Sequence, residues 1–330
     1  MTFDMKPPLA FLCGHRKSGT TLLANLLDGH PQLAVYPIDL ALLYGYFPEF
    51  MRTHLDPQER RARLRQILFD DLRQRLDQAL LDVDALERHF FAGLNEADLG
   101  RLDTLIARLM AAYCRVVDAP AVRHGIFKET SIEIYADELC GWFPDVRFIH
   151  LVRDPRDNFA ALAAGVEGHY GRMGEDHNRT LASLLNRVRT GFRFGRMNRA
   201  QLGRERYLVL RFEDLATAPE PAMRTVADFL EIAFTPSLLT PTTLGQATGG
   251  NAFDGVAAFE VNPRNVGRWR ERISPEDAQV IEFHLADDME EFGYKPAFDE
   301  REQARAAAEF YKWQNYAYFY SDRFAHGIVR

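Results

Sequence analysis

A short apolar run, Leu9-Ala-Phe-Leu-Cys13, is followed by a Gly-bounded polar turn from Gly14 to Gly19, then by apolar positions at Leu22, Leu23, Leu26 and Leu27. The run predicts a buried strand and the later spacing predicts one face of a helix. Gly29-His30-Pro31 stops that helix. Leu33 to Tyr36 reads as a short second strand, Pro37-Ile38-Asp39 as the turn out of it, and Leu40 to Phe50 as an apolar, aromatic segment. Residues 52–118 change in character. They are rich in Arg, Leu, Asp and Ala, with helical spacing such as Leu64, Ile67, Leu68 and Leu72, and predict two to four helices inserted between strands. Gly125 to Ser131 and Val146 to Val152 read as strands, with a helix from Ile134 to Trp142 between them and another beginning near Asn158. A long helix over Asn178 to Arg199, a buried strand over Tyr207 to Arg211 and a helix over Pro221 to Glu231 follow. Thr235 to Asn262 is rich in Gly, Thr and Pro and reads as a long loop. Ser274-Pro275 caps the last clear helix, which ends near Gly293. Beyond Lys295 the chain is aromatic, with Phe310, Tyr311, Trp313, Tyr316, Tyr318, Phe319 and Tyr320. This tail packs on the domain or forms a homodimer contact. Strands alternating with helices predict an α/β fold, three layers deep around a central parallel sheet, with helical insertions.

At 330 residues the chain has the length of one large domain or two small ones and is read as a single domain, with 47% hydrophobic content ample for a substantial core. The net charge of −7 excludes a surface made for nucleic acid, so any anion is held by a local cluster. Three cysteines, Cys13, Cys114 and Cys140, have no metal-ligand or redox spacing and fit a reducing compartment. The N-terminal residues lack the basic and apolar regions of a signal peptide, and the longest apolar stretch, Leu33 to Phe47, is interrupted and too short for a bilayer. The expectation is a cytoplasmic protein without a membrane span.

The candidate chemistry starts in the first turn. A helix N-terminus offers unpaired N–H groups and partial positive charge, and Gly14 and Gly19 let the backbone come close to an anion. The loop resembles a P-loop, G-x-x-x-x-G-K-[ST], with one departure: Thr20 stands at the Lys position, followed by Thr21, and the cations Arg16 and Lys17 lie inside the turn. Later, Arg153-Asp-Pro-Arg-Asp157 closes a strand, where cations point into the same crevice, unless Arg153 is only an ion pair with Asp154 or Asp157. Asp39, the lone carboxylate in an apolar neighbourhood, is either a site residue or the N-cap of the segment from Leu40. Three arginines surround a Gly and a Trp in Asn262-Pro-Arg-Asn-Val-Gly-Arg-Trp-Arg270.

Arg16-Lys17-Ser18-Gly19-Thr20-Thr21 resembles the 5′-phosphosulfate loop of sulfotransferases that use 3′-phosphoadenosine-5′-phosphosulfate (PAPS). Phe143 to Asp157 resembles their 3′-phosphate segment, Tyr207 to Pro219 their "YEDL" strand exit, and Val266-Gly-Arg-Trp269 their late nucleotide-closing loop. Order and spacing agree over residues 9 to 294. The resemblance implies that Arg16, Lys17, Ser18, Gly19, Thr20 and Thr21 hold the 5′-phosphosulfate, that Arg153 holds the 3′-phosphate, and that Arg264, Gly267, Arg268 and Trp269 close on the nucleotide. It implies PAPS as co-substrate, no metal, and a small-molecule or glycan acceptor. Ala161 replaces the family's Ser and Phe212 its Tyr.

The implied reaction is in-line sulfuryl transfer to a hydroxyl or amine, with Lys17 and Lys128 offsetting charge on the bridging oxygen. The small-molecule members' His position is Thr130 here, which cannot act as a base. Asp39 is the first candidate for the base and Glu129 the second. A P-loop kinase needs the missing Lys at position 20, and a non-catalytic nucleotide-binding protein of the same fold has no need of Lys17, Arg153 and Asp39 together.

Overall fold

The computed structural model describes residues 7–46, 55–77, 79–119, 122–166, 169, 171–174, 176–248 and 260–312. Five parallel strands form the main sheet: β1 (Leu9–Cys13), β2 (Leu33–Asp39), β3 (His124–Lys128), β4 (Arg147–Val152) and β5 (Tyr207–Arg211). Their order is β2-β3-β1-β4-β5, so the chain runs out to one side of β1 and then to the other. Crevices at such a reversal, beyond the strands' C-terminal ends, are where open α/β sheets bind ligands.

The strands are apolar on both faces, as parallel strands covered by helices must be. Alternation along β1 sorts the core. Leu9, Phe11 and Cys13 join one cluster with Phe127, Phe148 and Tyr207, while Ala10 and Leu12 join the other with Ile126, Ile149 and Leu151. The second face is covered by α1 (Thr20–Leu27), through Leu23, Leu26 and Leu27. The first face is covered by the inserted helices: α2 (Pro57–Arg65), which runs through a π-helical turn (Gln66–Asp70) into α3 (Asp71–Arg75), then α4 (Val83–Phe91) and α5 (Leu102–Val116). Leu64, Leu68 and Leu72 do point into this core, as their spacing predicts.

After β3 come a 3₁₀ turn (Ile132–Tyr135) and α6 (Ala136–Trp142). After β4 come α7 (Pro155–Ala163), capped by Asp154, and the long α8 (His177–Leu202). After β5 follow α9 (Phe212–Thr217) and α10 (Pro219–Phe229). A two-stranded hairpin (Thr242–Thr243 with Gln246–Ala247) sits inside the predicted loop, and residues 249–259 lie outside the described residues. α11 (Trp269–Arg272) and α12 (Pro275–Glu291) follow, the latter capped by Ser274 as its sequence predicts.

Two expectations need correction. The second strand does not stop at Tyr36: it continues through Pro37 to Asp39, with a register break against β3 between Val35 and Asp39 that accommodates the proline. Asp39 therefore ends a strand and caps no helix; a π-helical turn (Leu42–Tyr46) begins three residues later. The chain after Lys295 is not all tail either. Asp299 caps α13 (Glu300–Phe310), whose Ala306 and Phe310 pack with Tyr311 on the core between α8 and α12. The aromatic residues from Trp313 onward lie outside the described residues.

Candidate functional site

The turn between β1 and α1 is shaped by its two glycines. Gly14 has φ 136°, and a Cβ there would lie 2.3 Å from the carbonyl oxygen of Leu151. Gly19 has φ 105°, and a Cβ would lie 2.5 Å from the Phe212 ring. Neither position tolerates a side chain, so the loop lies tight against β4 and α9. Gly19 provides no capping side chain, which leaves the first N–H groups of α1 directed at whatever occupies the loop. Thr20 is buried as the first residue of α1 and Thr21 is half-buried beside it.

Three of the predicted cations converge here. They sit in or at the ends of three adjacent strands: Lys128 ends β3, Lys17 is in the loop after β1, and Arg153 follows β4. Lys17 has a left-handed backbone, φ 65°. Burial, reinforced by the charges of Arg153 and Lys128, lowers its pKa to about 8. Arg153 is buried and donates to the Lys17 carbonyl (2.7 Å) and the Asn265 carbonyl (2.9 Å), with its guanidinium 4.4 Å from the centre of the Phe212 ring. Arg153 is thus no ion pair with Asp154 or Asp157. It is the neighbouring Arg156 that pairs with Asp154 (2.6 Å) and Glu282 (2.5 Å). Asp157 instead accepts the N–H groups of Gly267 (2.6 Å) and Trp269 (2.8 Å), which fastens the late loop to the start of α7. Among the described residues Arg153 makes no ion pair. Carbonyl dipoles only partly repay the desolvation of a buried guanidinium.

Asp39 and Lys128 meet. The Lys128 ammonium donates to Asp39 Oδ1 at 2.8 Å, with the lysine side chain 8% exposed and the aspartate 42% exposed. Glu129, the second candidate base, is buried behind them. Burial first, and then the charge of Asp39, raises its pKa to about 8. The two candidate bases therefore differ: Asp39 is open to solvent and Glu129 is enclosed and protonated at neutral pH.

The other predicted residues are placed more loosely. The Arg16 carbonyl accepts from the side-chain amide of Asn158 at 2.8 Å, which ties the loop to α7. Arg264 lies in a 3₁₀ turn (Pro263–Asn265), its N–H capped by Asn262. Arg268 is half-buried and pairs with Glu271 at 3.2 Å. The Trp269 indole is buried, with the Arg156 guanidinium 4.5 Å above its ring and Phe298 beside it. Gly267, at φ 74°, contributes its backbone N–H to Asp157.

Sequence reasoning missed Asn158, the clamping role of Asp157, and Glu133. Glu133 is buried, with a pKa raised by burial to about 7, and accepts the Gly14 N–H. It also missed His15, whose ring is buried in the loop and held neutral by burial and by the charges of Arg16 and Arg187. The Asp-Pro-Arg-Asp stretch was legible as charged, but periodicity says nothing about which of its side chains turns inward. Ser18 Oγ and Arg153 Nε, both buried and without hydrogen-bond partners, border one small cavity together with His15 and Asn158. Two orphaned donors, a glycine-bounded cradle and an uncapped helix start are the donor set that a phosphate or sulfate takes.

The central parallel sheet with its glycine-bounded turn after β1 is an α/β fold of the sulfotransferase type, and the model of the sulfotransferase family matches residues 8–236. The chain belongs to that family. It is 27% identical over 166 residues to carbohydrate sulfotransferase 3 of Mus musculus, covering 47% of this chain and 35% of that protein. It is 25% identical over 334 residues to the nodulation protein NoeE of Sinorhizobium fredii, covering 90% of this chain and 68% of that one. The chain thus spans about a third of the length of the first relative and about two thirds of the second. The sulfotransferase domain of the Synechococcus PCC 7002 olefin synthase has the same fold, with TM-score 0.51 and 21% identity over 94% of this chain and 97% of that one. Among the described residues no helix is long and apolar enough to cross a membrane.

Proposed function

We propose that this protein transfers the sulfuryl group of PAPS to a hydroxyl group of a carbohydrate acceptor. The observation that carries the PAPS reading is the cation cluster: Lys17, whose pKa is lowered by burial and then by the charges of Arg153 and Lys128, lies beside Arg153, which is buried with no ion pair among the described residues. Such a cluster stores repulsion that a polyanion relieves. One departure from the family pattern fits the same site: Phe212, in the usual Tyr position, carries the Arg153 guanidinium on its ring face. The carbohydrate reading is supported by the likeness to carbohydrate sulfotransferase 3.

In this reading the N–H groups at the start of α1, with Arg16, Lys17, Ser18, Thr20 and Thr21, hold the 5′-phosphosulfate, and Arg153 holds the 3′-phosphate. The late loop bearing Arg264, Gly267, Arg268 and Trp269 lies over the nucleotide through its fastening to Asp157 and Arg153. Lys17 meets the charge that grows on the bridging oxygen as the nucleotide leaves. Asp39, solvent-facing at the end of β2, takes the acceptor's proton while Lys128 keeps its carboxylate oriented.

Thermal shift with 3′-phosphoadenosine 5′-phosphate (PAP), without added metal, tests the proposal against ATP with magnesium. Stabilisation by PAP alone is expected. A preference for ATP, or a requirement for magnesium, would overturn it in favour of a kinase.

A further inference from the structure

The strand exit that presents Asp39 is held in an unusual way. Directly after Leu40, Ala41 has a left-handed backbone, φ 57°. A side chain other than glycine resists that conformation by about 1 kcal/mol or more, so its surroundings must impose it. Two hydrogen bonds do so. Leu40 N–H donates to the Lys128 carbonyl at 2.9 Å, and Ala41 N–H donates to the carboxyl of Glu129. This corner turns the chain from β2 into the π-helical turn that follows, and Asp39 is the last strand residue before it. Glu129 itself is fixed from behind by its own N–H, which donates to the Leu12 carbonyl at 3.1 Å. The residue is 5% exposed and its Oε2 has no partner.

We propose that Glu129 is a positioning residue: its enclosed carboxyl pins the Ala41 corner and thereby sets Asp39 against Lys128 at the mouth of the site. The inference rests on Asp39 being the base. Among the described residues the groups facing Glu129 are Asp39 from β2, Lys128 at the end of β3, Tyr44 from the π-helical turn and Tyr135 from the 3₁₀ turn. Both phenols are raised above their ordinary pKa and stay neutral, so Asp39 and Lys128 are the charges that matter. Burial and Asp39 together hold Glu129 protonated below about pH 8. A protonated carboxyl accepts from Ala41 with one oxygen and keeps its proton on the other. It neither repels Asp39 nor competes for the Lys128 ammonium. An ionised Glu129 would do both, so its proton is part of what leaves Lys128 to Asp39.

The test uses Glu129→Gln, Glu129→Ala and Asp39→Asn in the full chain. PAP affinity is measured alongside PAP release from PAPS, with methyl β-D-galactopyranoside as acceptor, or water if that sugar is not turned over. Glutamine mimics the neutral acid, so Glu129→Gln should keep turnover within about threefold, whereas Glu129→Ala should lose about tenfold or more with PAP affinity unchanged. Carbon-13 NMR of labelled Glu carboxyls should show one resonance, absent in Glu129→Gln, titrating near pH 8 and moving lower in Asp39→Asn. Loss of turnover in Glu129→Gln as deep as in Asp39→Asn would make Glu129 the base and overturn the inference. Full turnover in Glu129→Ala would show that the corner does not need it. If Asp39→Asn alone keeps full turnover, the functional reading of Asp39 fails, and the positioning role with it, while a persisting NMR coupling would still report the geometry.

Discussion

Replacing Lys17 with methionine should make the ligand-free protein more stable and the enzyme nearly inactive. The lysine is charged at neutral pH, yet burial and two neighbouring cations oppose that charge and lower its pKa from 10.5 to about 8. The sign follows from proton counting. Between about pH 8 and 10.5 the unfolded chain holds the proton and the folded chain does not, so stability rises with pH across that window. Below about pH 8 both states hold it and the whole cost of the confined charge is present. At about 1.4 kcal/mol per pH unit that cost is about 3 kcal/mol, reduced to about 1–2 kcal/mol because the side chain is only partly buried and water screens it. Methionine keeps most of the apolar stem and removes the charge, so at pH 7 the free variant should melt about 2–5 °C higher. Adding saturating PAP should narrow or reverse the order, because the nucleotide relieves the repulsion only where the lysine is present. Turnover should fall about 10²–10³-fold, the scale of losing one preorganised group at a developing charge. Differential scanning fluorimetry at pH 7 and pH 9, with and without PAP, checks this, since the wild type should gain on the variant at the higher pH. A variant that melts below wild type without ligand, or that retains turnover, would refute the reasoning.

Three further outcomes follow from the same geometry. Asp39→Asn should lower turnover about a hundredfold or more while leaving PAP affinity nearly unchanged, read by kinetics and calorimetry with an alkyl alcohol acceptor. Arg153→Ala should weaken PAP binding about ten- to a hundredfold, since a charge-assisted contact is lost; an unchanged dissociation constant would mean that the 3′-phosphate lies elsewhere. Gly19→Ala sets a left-handed position and a 2.5 Å approach to Phe212 against the added methyl, so PAP binding should be abolished with the melting temperature lowered; ordinary binding would show that the loop is not held against α9.

The end residues of β1 and β5, the Gly14–Gly19 bounds of the first turn, the capped start of α12 and the helical nature of residues 57–116 are all legible in the chain. Those features are local: an apolar run, a period and a cap need only neighbouring residues to declare themselves. What tertiary structure alone decided is every pairing across the sheet. Asp39 and Lys128 are 89 positions apart and become partners because β2 and β3 are hydrogen-bonded side by side. The path of β2 beyond Pro37 was illegible because a proline reads as a turn unless a neighbouring strand accommodates it through a register break. Arg153 read equally well as an anion clamp and as an ion pair with Asp154 or Asp157. Its carbonyl partners on Lys17 and Asn265 come from loops 136 and 112 residues away, and Arg156 took the carboxylate of Asp154. Glu129 reads from the chain as an alternative base beside its lysine, and the burial that, with Asp39, raises its pKa to about 8 exists only in the fold. Charge, in the chain, is a residue type; its protonation and its aim are set by the desolvation and the partners that folding brings.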